Sequence, residues 1–200
     1  MTELEGEKYG DCGSWTKFID IDNTKCINYL EIGVYYGMNL ISVLNTFCKN
    51  TNSKLHAIDC WSDEHYNHYD HLVNKGDQIY NAFLRNVSIS GGNDKVIVHR
   101  GYSYDKIKEL SDNYFDIIYI DGCHEPESVM EDAVLSFRKL KNNGYIVFDD
   151  YHWSKETSKS IDEFIAAYGK RCKILGLQNG QMFIQKIVNT YTPSVSFNIY

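Results

Sequence analysis

Only two prolines, Pro126 and Pro193, interrupt this chain of 200 residues, and no Gly/Ser-rich stretch divides it. With nothing to mark a linker, a single domain over residues 1–200 is expected, large enough to bury one core. No apolar run approaches the roughly 18 residues that a membrane span needs, and the polar start MTELEGEKYGD lacks an apolar signal region. The expectation is a cytoplasmic protein without a membrane partner. Basic residues are in deficit, 20 Lys and Arg against 27 Asp and Glu, for a net charge of -7. That balance disfavours a nucleic-acid partner, whose phosphates bind through Lys and Arg displacing counterions. A small-molecule or glycan acceptor fits better. The six cysteines include no CxxC pair and no zinc spacing with histidine, so reduced thiols acting as small hydrophobes are expected.

What is present alternates between strand and helix. Short apolar runs at CINYLEIG, KLHAIDCW, KVIVHRG, FDIIYIDG and GYIVFDD are bounded by Gly, Asp or Asn and read as buried parallel strands. Between them, apolar positions recur every three or four residues over 37–48, 77–88, 104–110 and 125–140, with a further helix near 161–168. Repeated βα units imply a doubly wound, Rossmann-like α/β sheet with helices on both faces. The ending RCKILGLQNGQMFIQKIV reads as two strands turning at Asn179-Gly180, giving a mostly parallel seven-stranded sheet that closes with an antiparallel hairpin. Residues 1–25 suggest a lid over a ligand. Residues 189–200 suggest a loose tail or an oligomer contact.

Ligands of open α/β sheets bind at the carboxyl ends of the strands. After the first strand come Glu31, Gly33 and Gly37, where glycines suit a tight turn and a close backbone approach. Asp59 ends the second strand, placed to accept both ribose hydroxyls of a nucleoside, and Trp61 could wall in adenine or simply pack. Gly101 and Ser103 follow the third strand and could meet the far edge of adenine or form an ordinary loop. The fourth and fifth strands deliver Asp121, Asp149 and Asp150 to one edge. Like charges crowded there call for a hard cation, Mg²⁺ before Mn²⁺ or Ca²⁺, unless the carboxylates cap helices. His124 can reach whatever such a cation holds and accept its proton.

In this order and spacing, EIGVYYG, AIDCW, YIDGCHEPESVMEDA and NNGYIVFDDYHW resemble the methyltransferase domain 24 group of class I S-adenosylmethionine-dependent methyltransferases over about residues 26–152. The resemblance implies that Glu31, Gly33 and Gly37 face the methionine and ribose of S-adenosylmethionine, Asp59 the ribose hydroxyls, and Trp61 and Ser103 the adenine. Gly101 and Asp121 would adjoin the same cofactor. The IDGCH and FDDY pieces are also similar to metal-dependent macrolide-sugar O-methyltransferases. In those an Asp, a catalytic His three residues on and an acidic pair share a cation, which here would be Asp121, His124, Asp149 and Asp150. Relatives carry Gly-Gly-Ser-Thr where this chain has Gly37-Met-Asn-Leu, and the stretch after Trp61 lacks a family glycine, so no role is carried to His65.

The reaction so implied is an in-line methyl transfer to a hydroxyl of a sugar or another small polyhydroxylated molecule. Its rivals are a catalytically silent binding subunit of the same fold and a metal-dependent glycosyltransferase. A nicotinamide oxidoreductase is disfavoured by the missing Gly-x-Gly-x-x-Gly spacing and the terminal hairpin.

Overall fold

A computed structural model describes residues 3–8 and 10–187. Its strands are β1 (Asn28–Ile32), β2 (Lys54–Asp59), β3 (Val96–Arg100), β4 (Phe115–Ile120), β5 (Leu140–Phe148), β6 (Cys172–Gln178) and β7 (Gln181–Lys186). The helices are α1 (Met38–Thr46), α2 (Asp63–Tyr66), α3 (Gly76–Ile89), α4 (Ser103–Glu109), α5 (Pro126–Lys139) and α6 (Lys155–Tyr168). One seven-stranded sheet runs β3-β2-β1-β4-β5-β7-β6. The first five strands pair in parallel, while β7 is antiparallel to both β5 and β6. Strand order reverses between β1 and β4, so the crevice for a ligand opens above their carboxyl ends.

Each central strand buries both faces, as parallel strands covered by helices on two sides must. One apolar layer gathers α1 and α3 with Trp15, Tyr29, Phe83 and Phe183; the other gathers α5 and α6 with Ile118, Phe137, Ile146 and Phe164. Among the described residues no helix is long and apolar enough to cross a membrane.

Two boundaries differ from the sequence pattern. The helix expected to end at Leu140 stops at Lys139 and β5 begins at once, before the run that announces it. Phe115 pairs with Leu140 but Ile117 with Tyr145, so Lys141–Asn143 bulge outward, with Asn143 at φ 64° supplying the bend. The polar stretch after Trp61 forms α2 and a short 3₁₀ turn, capped by Ser62 accepting from the His65 N–H. Near the N-terminus, Trp15 is a fully buried wedge against Phe47, Tyr119 and Phe183, and Glu5 is tied to Arg85 and Asn86 on α3. Among the described residues of this segment, Glu7 and Gly10 reach the crevice. The expected tail at 189–200 lies outside the described residues.

A histidine pair gives the fold a pH dependence. His56 on β2 and His99 on β3 meet ring nitrogen to ring nitrogen at 2.9 Å. Burial, followed by the neighbouring His99, pushes His56 down to about 4 from 6.5. A base that is harder to protonate folded than unfolded stabilises the fold above its unfolded pKa. That contribution, up to about 3 kcal/mol, is lost as pH falls from 6.5 through 4. Denaturant titrations between pH 4 and 7 should show wild type losing more stability on acidification than His56→Gln, and parallel losses would remove the pair as the cause.

Candidate active site

A cavity of about 510 Å³ lies over the carboxyl ends of β1, β2, β4 and β5, with the start of α4 on its wall. Gly33, Glu31, Asp59, Gly101, Ser103, Asp121, His124, Asp149 and Asp150 all line it. Gly37 and Trp61, of the expected set, do not.

Gly33 stands at φ 81°, and a Cβ there would fall 1.8 Å from the Asp121 carbonyl oxygen. The β1 loop is thus pressed against the β4 loop, and glycine is needed for the chain's own packing before any ligand arrives. Gly37, at φ 84°, caps α1 against Phe83, where a Cβ would meet the ring at 2.7 Å. Its place is between α1 and α3, next to the cavity-lining Met38 and Asn39.

Asp59 also differs from the expectation of two free acceptors. Its Oδ2 accepts the Val34 and Tyr35 N–H groups at 2.9 Å each, and its Oδ1 accepts the Trp61 N–H at 2.8 Å. The Tyr66 hydroxyl donates across both oxygens at 3.1 and 3.2 Å. A carboxylate offers about four lone-pair directions, and these donors fill them. Asp59 therefore anchors the β1 and β2 loops to each other, and a ribose diol would have to displace the longest of these bonds, that of Tyr66. Trp61 is fully buried, stacked on Phe83 with centroids 4.8 Å apart and donating its indole N–H to the Tyr35 carbonyl. Of the two alternatives for Trp61, packing is what these contacts describe, at a left-handed φ of 39°.

Glu31 is fully buried and accepts from the Tyr29 hydroxyl at 2.5 Å and Asn39 Nδ2 at 2.9 Å. Burial pushes it up to about 8, and the charge of Asp121 adds to this. Beside it on the cavity wall, Asn39 Oδ1 is buried and faces no donor. A carboxyl held neutral and an orphaned amide oxygen together fit a ligand ammonium group, whose charge would restore the carboxylate.

At the other end the carboxylates crowd as expected. Burial pushes Asp121 up to about 7, and Asp149 and Asp150 reinforce the rise. His124 Nε2 lies 2.9 Å from Asp150 Oδ2 and 3.8 Å from Asp121 Oδ1. Asp121 and Asp150 hold its imidazole charged, up to about 10. Yet no aligned hydrogen bond reaches that buried nitrogen. One donor atom from each of Asp121, His124 and Asp150 falls within 4.8 Å of the others. Asp149 stands behind this group, engaged by the Tyr119 hydroxyl and the Asp150 N–H. Gln181 Nε2 donates to Tyr119 at 3.4 Å and Trp15 Nε1 to Gln181 at 2.8 Å, so a buried chain of bonds runs from the N-terminal segment to the acids. Sequence reading missed Tyr119 and Gln181 because each sits inside a strand that reads as core.

Backbone strain clusters here too. Of the described non-glycine residues at positive φ, all are Asn except Tyr35, Trp61 and Asp150, and each of these follows a strand end at the cavity. Such conformations cost about 1–3 kcal/mol for bulky residues and gather at functional sites.

Residues 30–151, the strands and loops that build this cavity, match the model of a family described as a methyltransferase domain. The chain belongs to the methyltransferase domain 24 family. An uncharacterized protein of Acanthamoeba polyphaga mimivirus is 31% identical over 150 residues, covering 70% of this methyltransferase-domain chain and 60% of the viral protein. The chain thus spans less than two thirds of that relative's length. Among solved structures, the O-methyltransferase from Bacillus cereus in complex with SAH is 17% identical at a TM-score of 0.60, over 80% of this chain and 74% of the other. TomG from Streptomyces achromogenes, an O-methyltransferase involved in tomaymycin synthesis, in complex with SAM, is 13% identical at 0.63, over 84% and 75%. At such identities the likeness establishes the shared fold.

Proposed function

We propose that this chain transfers a methyl group from S-adenosylmethionine to a hydroxyl of a sugar or other small polyhydroxylated molecule, assisted by a divalent cation. The observation that carries this reading is a single cavity with two complementary ends. One end offers Glu31 and the orphaned Asn39 oxygen to an ammonium; the other offers the Asp121, His124 and Asp150 cluster to a cation. Family membership and the fold of O-methyltransferases that bind SAM or SAH support it.

Asp121 and Asp150 would hold the cation, with Asp149 bracing Asp150 through its N–H. Oxygen donors suit Mg²⁺ or Mn²⁺. Bound there, the cation supplies Lewis acidity that lowers the pKa of an acceptor hydroxyl. With the two carboxylates engaged by a cation, His124 would lose the partners that hold it charged, and its Nε2 would be the atom that takes the hydroxyl proton. His65, Tyr66, Tyr69 and Trp153 also line the cavity, with the Trp153 ring 4.8 Å from His124. Their rings would stack on the faces of an acceptor and hold its hydroxyl toward the methyl.

Chelation should stop turnover on hydroxylated acceptors while leaving SAH affinity intact, and Mn²⁺ or Mg²⁺ should restore it. Asp150→Asn tolerates the φ of 52° and should weaken Mn²⁺ binding measured by calorimetry. His124→Ala should keep Mn²⁺ and lose roughly 10²- to 10⁴-fold in rate. Wild-type Mn²⁺ affinity in Asp150→Asn, or full turnover in chelator, would return the three acids to a structural role.

A further inference from the structure

At the opposite edge of the sheet lies a second cavity, of about 400 Å³, which the methyl-transfer reading does not use. It is walled by the turn before β4, the last turn of α5, the start of β6 and the end of β7, which brings together Arg138, Arg171 and Lys186. Because β7 runs antiparallel to β5, its last residue comes down to the edge where the parallel strands begin.

Three cations converge here in a chain of net charge -7. One carboxylate, Asp112, shares the cavity; it is paired with Lys139 at 2.8 Å and also faces the charges of Arg138 and Lys186, so one anion stands against four cations. No carboxylate among the described residues forms an ion pair with Arg138 or Arg171. The Arg171 guanidinium carbon lies over the rings of Phe137 and Tyr168, 5.0 and 5.2 Å from their centroids, within cation–π range of both. Its Nε–H is buried and meets no acceptor among the described residues. Lys186 is almost wholly buried. Its Nζ donates to the Phe137 and Leu140 carbonyls at 2.8 and 2.6 Å, and burial and the charge of Arg171 make it easier to deprotonate.

Capping of the α5 C-terminus accounts for Lys186, since its two bonds take carbonyls that a helix end leaves free. It does not account for Arg171, which bonds no carbonyl, or for Arg138, whose side chain is exposed at the rim. Held cations that repel one another, together with an unsatisfied buried donor, cost stability unless an acceptor of opposite charge completes them. A planar guanidinium with a second guanidinium and an ammonium nearby matches an oxyanion with several equivalent acceptor oxygens.

We propose that this cavity is a binding site for a phosphate group, formed by Arg138, Arg171 and Lys186 and separate from the methyl-transfer site. The phosphate belongs either to the free ion or to a small phosphomonoester, since the cavity is larger than the ion alone.

Thermal unfolding of the full chain in inorganic phosphate, against sodium chloride at equal ionic strength, tests it. Phosphate should raise Tm by about 2–4 °C, the scale for stabilisation by a bound ligand in a chain of this size. Arg138→Gln, at an exposed position, and Arg171→Lys, which keeps the charge but loses the planar fork, should each remove most of that rise while binding SAH as wild type does. Ribose 5-phosphate in the same assay separates the sources: a larger rise assigns the site to phosphomonoesters and an equal rise to the free ion. No rise in wild type, or a rise kept in full by both variants, would overturn the proposal.

Discussion

Gly33→Val is expected to abolish the native fold or leave it without a cofactor site. The added Cβ would lie 1.8 Å from the Asp121 carbonyl oxygen and 2.4 Å from its carbon, both backbone atoms that no rotamer change can move. The residue also stands at φ 81°, where a β-branched side chain is strained whatever space it has. Separating the β1 and β4 loops would disturb the parallel pairing of Glu31 with Tyr119 and of Ile32 with Ile120, from which the cavity wall is built. Gly91→Ala is the matched control: it shares a positive φ, 72°, but nothing lies within 4 Å of its Cβ. Conformation alone should cost that control about 1 kcal/mol. In urea titrations Gly91→Ala should stay close to wild type, while Gly33→Val should show no cooperative transition or no SAH binding. A stable Gly33→Val that binds SAH would mean the two loops are not packed as described.

Asp59→Ala should destabilise the protein by roughly 3–5 kcal/mol, beyond the loss of one ligand contact, because buried donors left without an acceptor each cost about 1–3 kcal/mol. The Val34, Tyr35 and Trp61 N–H groups would all lose their acceptor, and Tyr66 its partner. Asp59→Asn keeps one oxygen and should fall between. If Asp59→Ala unfolds at the wild-type urea midpoint and merely binds SAH less well, Asp59 is a ligand residue and not the anchor of its loops.

These two sites show where sequence reasoning reached and where it stopped. Strand positions were legible because parallel strands buried on both faces leave short apolar runs between turn residues, and the Asn179-Gly180 pair marked the terminal hairpin. The strand-end carboxylates were legible because topology alone sends every βα loop to one edge. Their partners were not. Whether a strand-end acid faces a ligand or its own backbone depends on which way the N–H groups of the preceding loop turn, and the left-handed Tyr35 and Trp61 leave no composition signal. That geometry spends Asp59 on the loops and hides Trp61. Likewise, Asp149 and Asp150 are neighbours in sequence, but the chain turns sharply at Asp150, so one faces His124 and the other faces the buried Tyr119. Only the fold shows that Gln181, from the far hairpin, and Trp15, from the N-terminal segment, support that tyrosine.

The central claim, that the strand-end cavity takes an S-adenosyl cofactor, is tested most directly by calorimetric titration of the full chain with SAH, set beside uridine diphosphate in the presence of Mn²⁺. Saturable one-to-one binding of SAH, weakened in Asn39→Leu, where the ammonium loses its orphaned acceptor, and no heat from the nucleotide is the result predicted. Binding of uridine diphosphate without SAH, or SAH affinity unchanged in Asn39→Leu, would contradict the account.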